Sequence, residues 1–289
     1  MPFFIEVGAH VATNELDAAC KVVRQATHLN PSVAIILGSG LGELAQYVEH
    51  PVAFPFSELP GFARTTAAGH RGQLLVGYLG GCCVAVLQGR YHLYEGHSFE
   101  RATFPVHLMH RLGAETLIVS NASGGINPRF SSGEVVLIDG HINLMMRSTF
   151  AGPMISSEHR AMGNVHRHGD VYDPVLSSLA KRLAIRSGFA LQSGTYLATL
   201  GPNYETRSEY RFFRKLGADM VGMSTVPEVL TAAALGMKVL GFSVVTNVAQ
   251  PDALAKTDHS EVLDWANAAQ QRLLPLVKSI LSTLSGHPD

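Results

Sequence analysis

Arg90, His92 and Tyr94 stand at alternate positions in the segment Gly89-Arg90-Tyr91-His92-Leu93-Tyr94-Glu95-Gly96-His97. In an extended run alternate residues share a side. A guanidinium, an imidazole and a phenol would then face one crevice. An arginine fork matches phosphate oxygens and a histidine adds a second donor, so the pair reads as an anion site. Gly38-Ser39-Gly40-Leu41-Gly42 could add backbone N–H groups and the Ser39 hydroxyl near a helix N-terminus. It is not a dinucleotide fingerprint, because Glu43 stands where the last glycine is needed, and it lacks a P-loop lysine. Asn121-Ala122-Ser123-Gly124-Gly125 is small enough to bring backbone against a ligand, or to make a tight turn. Gly201-Pro202-Asn203-Tyr204-Glu205-Thr206 offers an aromatic face and a carboxylate, and Thr246-Asn247 a hydroxyl and an amide. Fourteen histidines invite a metal reading, but His107 and His110 on a helical pattern and His166 and His168 in a polar loop match no ligand spacing, and no metal site is expected.

These segments need a scaffold that aims them at one point. Ser32–Leu37, Thr116–Ser120 and Val135–Ile138 are short apolar runs whose length and β-branching favour strands buried on both faces. LLVGYL and CCVAVL flank Gly80-Gly81, a hairpin signal. Gly194–Thr199 and Val239–Val245 read as further strands. Helical patterns fill Thr103–Leu112, 173–187, Glu205–Leu216, Val226–Leu235 and Glu261–Leu284. Asn14 reads as the N-cap of a helix bearing Leu16, Ala19, Cys20 and Val23 on one face. Alternating strands and helices with a hairpin predict an α/β protein, a central mixed sheet with helices on both faces. In such sheets ligands bind just beyond the carboxyl ends of the strands. The polar segments above follow five of those ends, so they converge on one crevice, which favours an enzyme.

The bulk composition agrees. Of 289 residues 46% are hydrophobic and 16% charged, enough for a sizeable core and inconsistent with disorder. Lys and Arg number 22 against 23 Asp and Glu, a net charge of −1, so there is no global pull on nucleic acid or an acidic membrane. Cys20, Cys82 and Cys83 make neither a disulfide framework nor a zinc spacing and read as small buried residues in a reducing compartment. Val229–Val245 is broken by Gly236 and Lys238 and reads as a buried helix followed by a buried strand. No basic leader, repeat or linker stands out, so residues 1–289 read as a single cytoplasmic domain.

In order along the chain, GSGLG, GRYHLYEGH, SNASGGINP, GPNYET, GADMVGMSTVPEV and SVVTN resemble the purine nucleoside phosphorylases of the homotrimeric, 6-oxopurine-preferring type, over about Val33 to His259. The resemblance implies a phosphorylase/hydrolase-like three-layer α/β fold. It also implies cleavage of a purine N-glycosidic bond by inorganic phosphate, a purine salvage reaction that needs no metal or organic cofactor. It assigns the anion to Ser39, Arg90, His92, the backbone of Ala122 and Ser224, with His70 near the same place. It assigns ribose to Tyr94, Met223 and His259. It assigns the base to Tyr204 (in place of a common phenylalanine), Glu205, Val221, Thr246 and Asn247. Asn247, Glu205 and His92 are the expected catalytic groups. The resemblance further implies a homotrimer acting on small molecules, with no nucleic-acid or membrane partner. Two features depart from the pattern. Phe150, the only aromatic between Met145 and Asp170, does not match the phenylalanine that trimers reach over a neighbour's ribose, and the segment between Asn247 and His259 reads as a lid of no fixed pattern. Two alternatives stand beside this reading. A methylthioadenosine-type phosphorylase would usually carry Asp in place of Asn247 and a small apolar residue in place of His259. A silent nucleoside-binding protein on the same fold would have lost Arg90, Glu205 or Asn247.

Overall fold

The computed structural model describes residues 3–38, 42–63, 71–145, 171–248 and 259–286. Ser39, His70, Phe150, His166, His168 and the segment 249–258 lie outside them. Nine strands among the described residues form one sheet, in the order β2-β3-β4-β1-β5-β8-β7-β6-β9. The first five are β1 (Val33–Leu37), β2 (Glu49–Pro55), β3 (Gln73–Leu79), β4 (Cys82–Gln88) and β5 (Thr116–Gly125). The rest are β6 (Glu134–Asn143), β7 (Gln192–Ala198), β8 (Met220–Gly222) and β9 (Lys238–Val248). The helices are α1 (Phe3–Ala26), α2 (Phe99–Leu112), α3 (Pro174–Arg186), α4 (Arg207–Lys215), α5 (Val226–Ala234) and α6 (His259–Leu284).

All five residues of β1 are buried, because layers cover both faces. Ala34 and Ile36 join a core with Leu16, Val23, Phe104, Leu108, Val226 and Val229 from α1, α2 and α5. Val33, Ile35 and Leu37 join a second core with Leu176, Ala180, Leu273, Leu276 and Ile280 from α3 and α6. The period of two thus divides one apolar strand between two cores. β1 runs parallel to β4 and β5, while β3 and β4 pair antiparallel across Gly80-Gly81. Both glycines have positive φ (55° and 74°), the conformation that tight two-residue hairpins require.

The sheet is not open throughout. β5 pairs with β9 and β8, β9 with β6, β6 with β7, and β7 with β8, so these five strands close on themselves. Two local expectations change. The first helix starts at Phe3, and Asn14 is an exposed residue inside it rather than its cap. The preceding residues contain no proline after Pro2, so the helix continues back through them. Residues 121–125 prolong β5 instead of turning. Ser243 Oγ on β9, 2.6 Å from both Asn121 Oδ1 and Ser123 Oγ, ties that polar stretch to its neighbour.

Candidate active site

One cleft opens beyond the ends of β4, β5, β7 and β9, lined by Arg90, His92, Tyr94, Ala122, Tyr204, Glu205, Val221, Met223, Ser224, Thr246 and Asn247. It encloses about 720 Å³ counting space open to solvent. Every expected site residue whose side chain is described therefore falls in one place. Ser39 and His70 lie outside the described residues, and His259 opens α6 with its side chain outside them.

Arg90 anchors one end. It is 2% exposed, and its guanidinium donates to Glu228 Oε1 (2.9 Å), Ser120 O (3.0 Å) and Ser224 Oγ (3.1 Å). Glu228 sits in the first turn of α5, where a carboxylate favours the helix dipole. The pair is buried on both sides, and among the described residues Glu228 Oε2 has no hydrogen-bond partner. A buried pair of this kind holds the arginine at a fixed place and orientation. The Arg90 segment is not a strand, as its alternation predicted. It leaves β4 as coil and tightens into a 3₁₀ turn, Leu93–Glu95. Glu95 Oε1 accepts from the His92 backbone N–H (3.0 Å) and from His92 Nδ1–H (2.7 Å), which sets the tautomer and the ring plane. The imidazole stacks on the Tyr94 ring at 4.8 Å, so positions 90, 92 and 94 still converge.

Ser224 and Thr225 close the same end. Thr225 has φ +75°, a left-handed conformation that is costly for a β-branched residue. Its hydroxyl accepts from Asn121 Nδ2 (2.8 Å), and that hydroxyl lies 3.1 Å from Ser224 Oγ. Ser224 N–H donates to the buried Tyr196 hydroxyl at 3.4 Å. Behind it a Cβ on Gly222 would collide with that hydroxyl, so only glycine permits the approach.

The other end is a carboxylate–amide pair. Burial is the largest influence on Glu205 and pushes its carboxyl above the usual range; hydrogen bonds from its own backbone, Tyr210 and Thr199 work the other way. Thr199 Oγ1 donates to Glu205 Oε1 at 3.4 Å. Thr246 Oγ1 is shared between Ser123 O (3.2 Å) and Asn247 Oδ1 (3.3 Å). Tyr204, 52% exposed, forms part of the rim. The two ends are joined by β5: Ser120 O meets Arg90, while Gly124 lies against Val221, Tyr210 and Asn247. Four residues at ~3.3 Å each separate them by about 13 Å.

Sequence reasoning missed Glu228, Thr225 and Tyr210. Glu228 did carry a signal, the lone charge in the mostly apolar Val226–Ala234. Tyr210 carried none, since it sits among Arg207, Glu209 and Arg211 on a strongly polar helix. Among the described residues no cluster of His, Cys, Asp or Glu could hold a metal, and no helix is long and apolar enough to cross a membrane.

Residues 32–282 match the model of the phosphorylase superfamily. A purine nucleoside phosphorylase 1 of Bacillus subtilis is 41% identical over 269 residues, spanning 93% of this chain and 98% of the relative. The Mus musculus purine nucleoside phosphorylase is 41% identical over 277 residues, spanning 93% and 95%. A crystal structure of the Schistosoma purine nucleoside phosphorylase with hypoxanthine superposes at TM-score 0.81 and 32% identity, covering 94% of this chain and 97% of that one. Isoform 2 from Schistosoma mansoni, with cytosine and ribose-1-phosphate, does so at TM-score 0.82 and 33% identity, covering 94% and 96%. The chain belongs to the phosphorylase superfamily.

Proposed function

We propose that this cleft performs the reversible phosphorolysis of purine ribo- and deoxyribonucleosides bearing a 6-oxo group, such as inosine and guanosine, to free base and (deoxy)ribose 1-phosphate. The observation that carries the reading is one cleft holding a buried, oriented arginine at one end and a carboxylate–amide pair at the other. Orthophosphate sits with Arg90, His92, Ser224 and the Ala122 backbone, joined by Ser39 and His70. The ribose lies along Tyr94 and Met223, with His259 at its 5′-hydroxyl. The base lies between Tyr204 and Val221, with Glu205 and Asn247 on its edge.

The chemistry follows from the groups. A phosphate oxygen forms a bond to C1′ while the C1′–N9 bond breaks, its electron pair leaving on the purine. The proton lost by the phosphate ends on the base. Phosphate is both nucleophile and counter-charge for the oxocarbenium-like sugar. Asn247 steadies the negative charge that builds at N7 and O6, and a preorganised donor of this sort is commonly worth roughly 10²–10³ in rate. Ionised Glu205 accepts from N1–H, which a 6-oxopurine has and neutral adenine lacks. A buried acceptor left unpaired rejects an analogue by roughly 10⁴ or more. Phosphate is a co-substrate, and no step calls for a metal or organic cofactor. The proposed reading extends to a homotrimer working in the cytoplasm; three free cysteines, two of them buried, accord with a reducing compartment, and light scattering tests the trimer.

Turnover of inosine, guanosine, xanthosine, adenosine and methylthioadenosine, each with and without phosphate, tests the proposal. Base release from inosine only in the presence of phosphate supports it. Equal release without phosphate makes the protein a hydrolase, preference for methylthioadenosine overturns the base assignment, and binding without turnover makes the protein a silent binder.

A further inference from the structure

Tyr210 projects from α4 between the two groups that face the base. Its hydroxyl donates to the Glu205 carboxylate and accepts from the Asn247 side-chain amide. A Cβ built on Gly124 would lie 3.6 Å from the Tyr210 hydroxyl and 3.7 Å from Asn247 Nδ2, which places both polar atoms over the same point of β5. Tyr210 packs against the small core of Ile126, Leu197, Phe213, Ala218 and Val221, so the phenol is not free to swing away. Burial holds the Tyr210 proton on its oxygen, pushing the phenol well above its ordinary range. The hydroxyl is therefore a fixed donor toward Glu205.

We propose that Tyr210 is a positioning and selectivity residue, whose hydroxyl ties the Asn247 amide to the Glu205 carboxylate and holds that carboxylate as an acceptor for the base. The proposal rests on the phosphorolysis reading above. Glu205 faces a choice set by its surroundings. Loss of water favours the neutral acid, which could donate to the bare N1 of a 6-aminopurine. The Tyr210 donor favours the anion, which accepts from the N1–H of a 6-oxopurine. The other groups acting on Glu205 are its own backbone N–H, which lowers it more than Tyr210 does, Thr199 from the end of β7 and Glu209 in the first turn of α4. Glu209 is engaged by Thr206, whose backbone N–H and hydroxyl each lie 2.7 Å from Oε2. On Tyr210 itself the neighbours are Glu205, Tyr204 and Asn247. Among the described residues no cation acts on either group, and Tyr210 is the strongest side-chain support for the Glu205 anion.

The test is Tyr210→Phe, which keeps the packed ring and removes only the hydroxyl. Inosine kcat/KM is measured from pH 5 to 9 at saturating phosphate, alongside the unaltered enzyme. Phosphate and substrate ionise identically in both, so a difference belongs to the protein. Hydrogen bonds to charged groups correspond to about one pH unit or more. The acid limb of the variant is expected to move up by about one unit, with thermal stability little changed. A limb that coincides with that of the unaltered enzyme overturns the proposal, whatever happens to the plateau rate or the melting temperature. Failure of the unaltered enzyme to release base from inosine with phosphate refutes the functional reading instead, so the two failures are distinct.

Discussion

Glu228→Gln separates the two jobs of the buried ion pair. The amide keeps an oxygen for Arg90 Nε but removes the charge that balances a guanidinium 2% exposed. Breaking a buried pair by neutralising one partner typically costs about 3–5 kcal/mol. At about 2 °C per kcal/mol for a domain of this size, the thermal midpoint in phosphate-free buffer drops by roughly 6–10 °C. The uncompensated Arg90 then becomes a stronger partner for an anion. If inorganic phosphate binds there, its dissociation constant should fall about ten-fold, which is ~1.4 kcal/mol. A ligand stabilises the state it binds by RT ln(1 + [L]/Kd), so the gain appears in full at saturating phosphate. Saturating phosphate should therefore raise the midpoint of the variant by about 3 °C more than it raises that of the unaltered protein. The assay is thermal unfolding of both proteins across a phosphate titration. Equal upshifts in both proteins would falsify the assignment of Arg90 to the anion, even if the variant is as unstable as expected.

Other outcomes follow from single residues. Asn247→Ala should lower inosine turnover at least ten-fold, and toward the roughly 10²–10³ of a lost preorganised donor; a near-normal kcat removes Asn247 from the reaction. His107, 6% exposed on α2, is held neutral by burial, its imidazole lowered to about 4. Its folded pKa lies below the ordinary 6.5, so the unfolded chain binds more protons between those values, and stability falls as pH drops from 6.5 toward 4. The loss amounts to about 3 kcal/mol. His107→Gln should flatten that slope in urea unfolding followed against pH, and an unchanged slope means that other groups carry it.

The sequence exposed the site better than its surroundings. Arg90, His92 and Tyr94 were legible from their spacing, although the alternation that suggested a strand is realised by coil and a 3₁₀ turn. What matters there is a short tether leaving a buried strand end, and Glu95 then locks the histidine. The stretch 121–125 looks like a turn because glycine and asparagine punctuate turns. It stays a strand because Ser243 and Thr246 of β9 bond to it, contacts from 120 to 123 residues away that no local pattern carries. β8 is three residues long and carried no local signal, since its pairing with β7 on one side and with Gly124 and Gly125 on the other defines it. Glu228 is set apart in its helix by its charge and Tyr210 by nothing local, but only tertiary packing turns one toward a guanidinium and the other toward a carboxylate.

A single unbroken strand runs from the carbonyl that takes Arg90 to the glycine beneath Asn247. It works as a gauge. Paired with β9 from Ser120 to Ser123, with a register shift before Gly124, and with β8 at Gly124, its extended backbone is already near full length and cannot stretch, and so the gap it sets between the two grips is nearly constant. A molecule with the right head and tail but an extra methylene in its middle would overrun that gap by about 1 Å. A misplacement of that size can cost about a hundred-fold in rate. Selection by length would then come from the backbone, beside whatever the side chains along the cleft contribute.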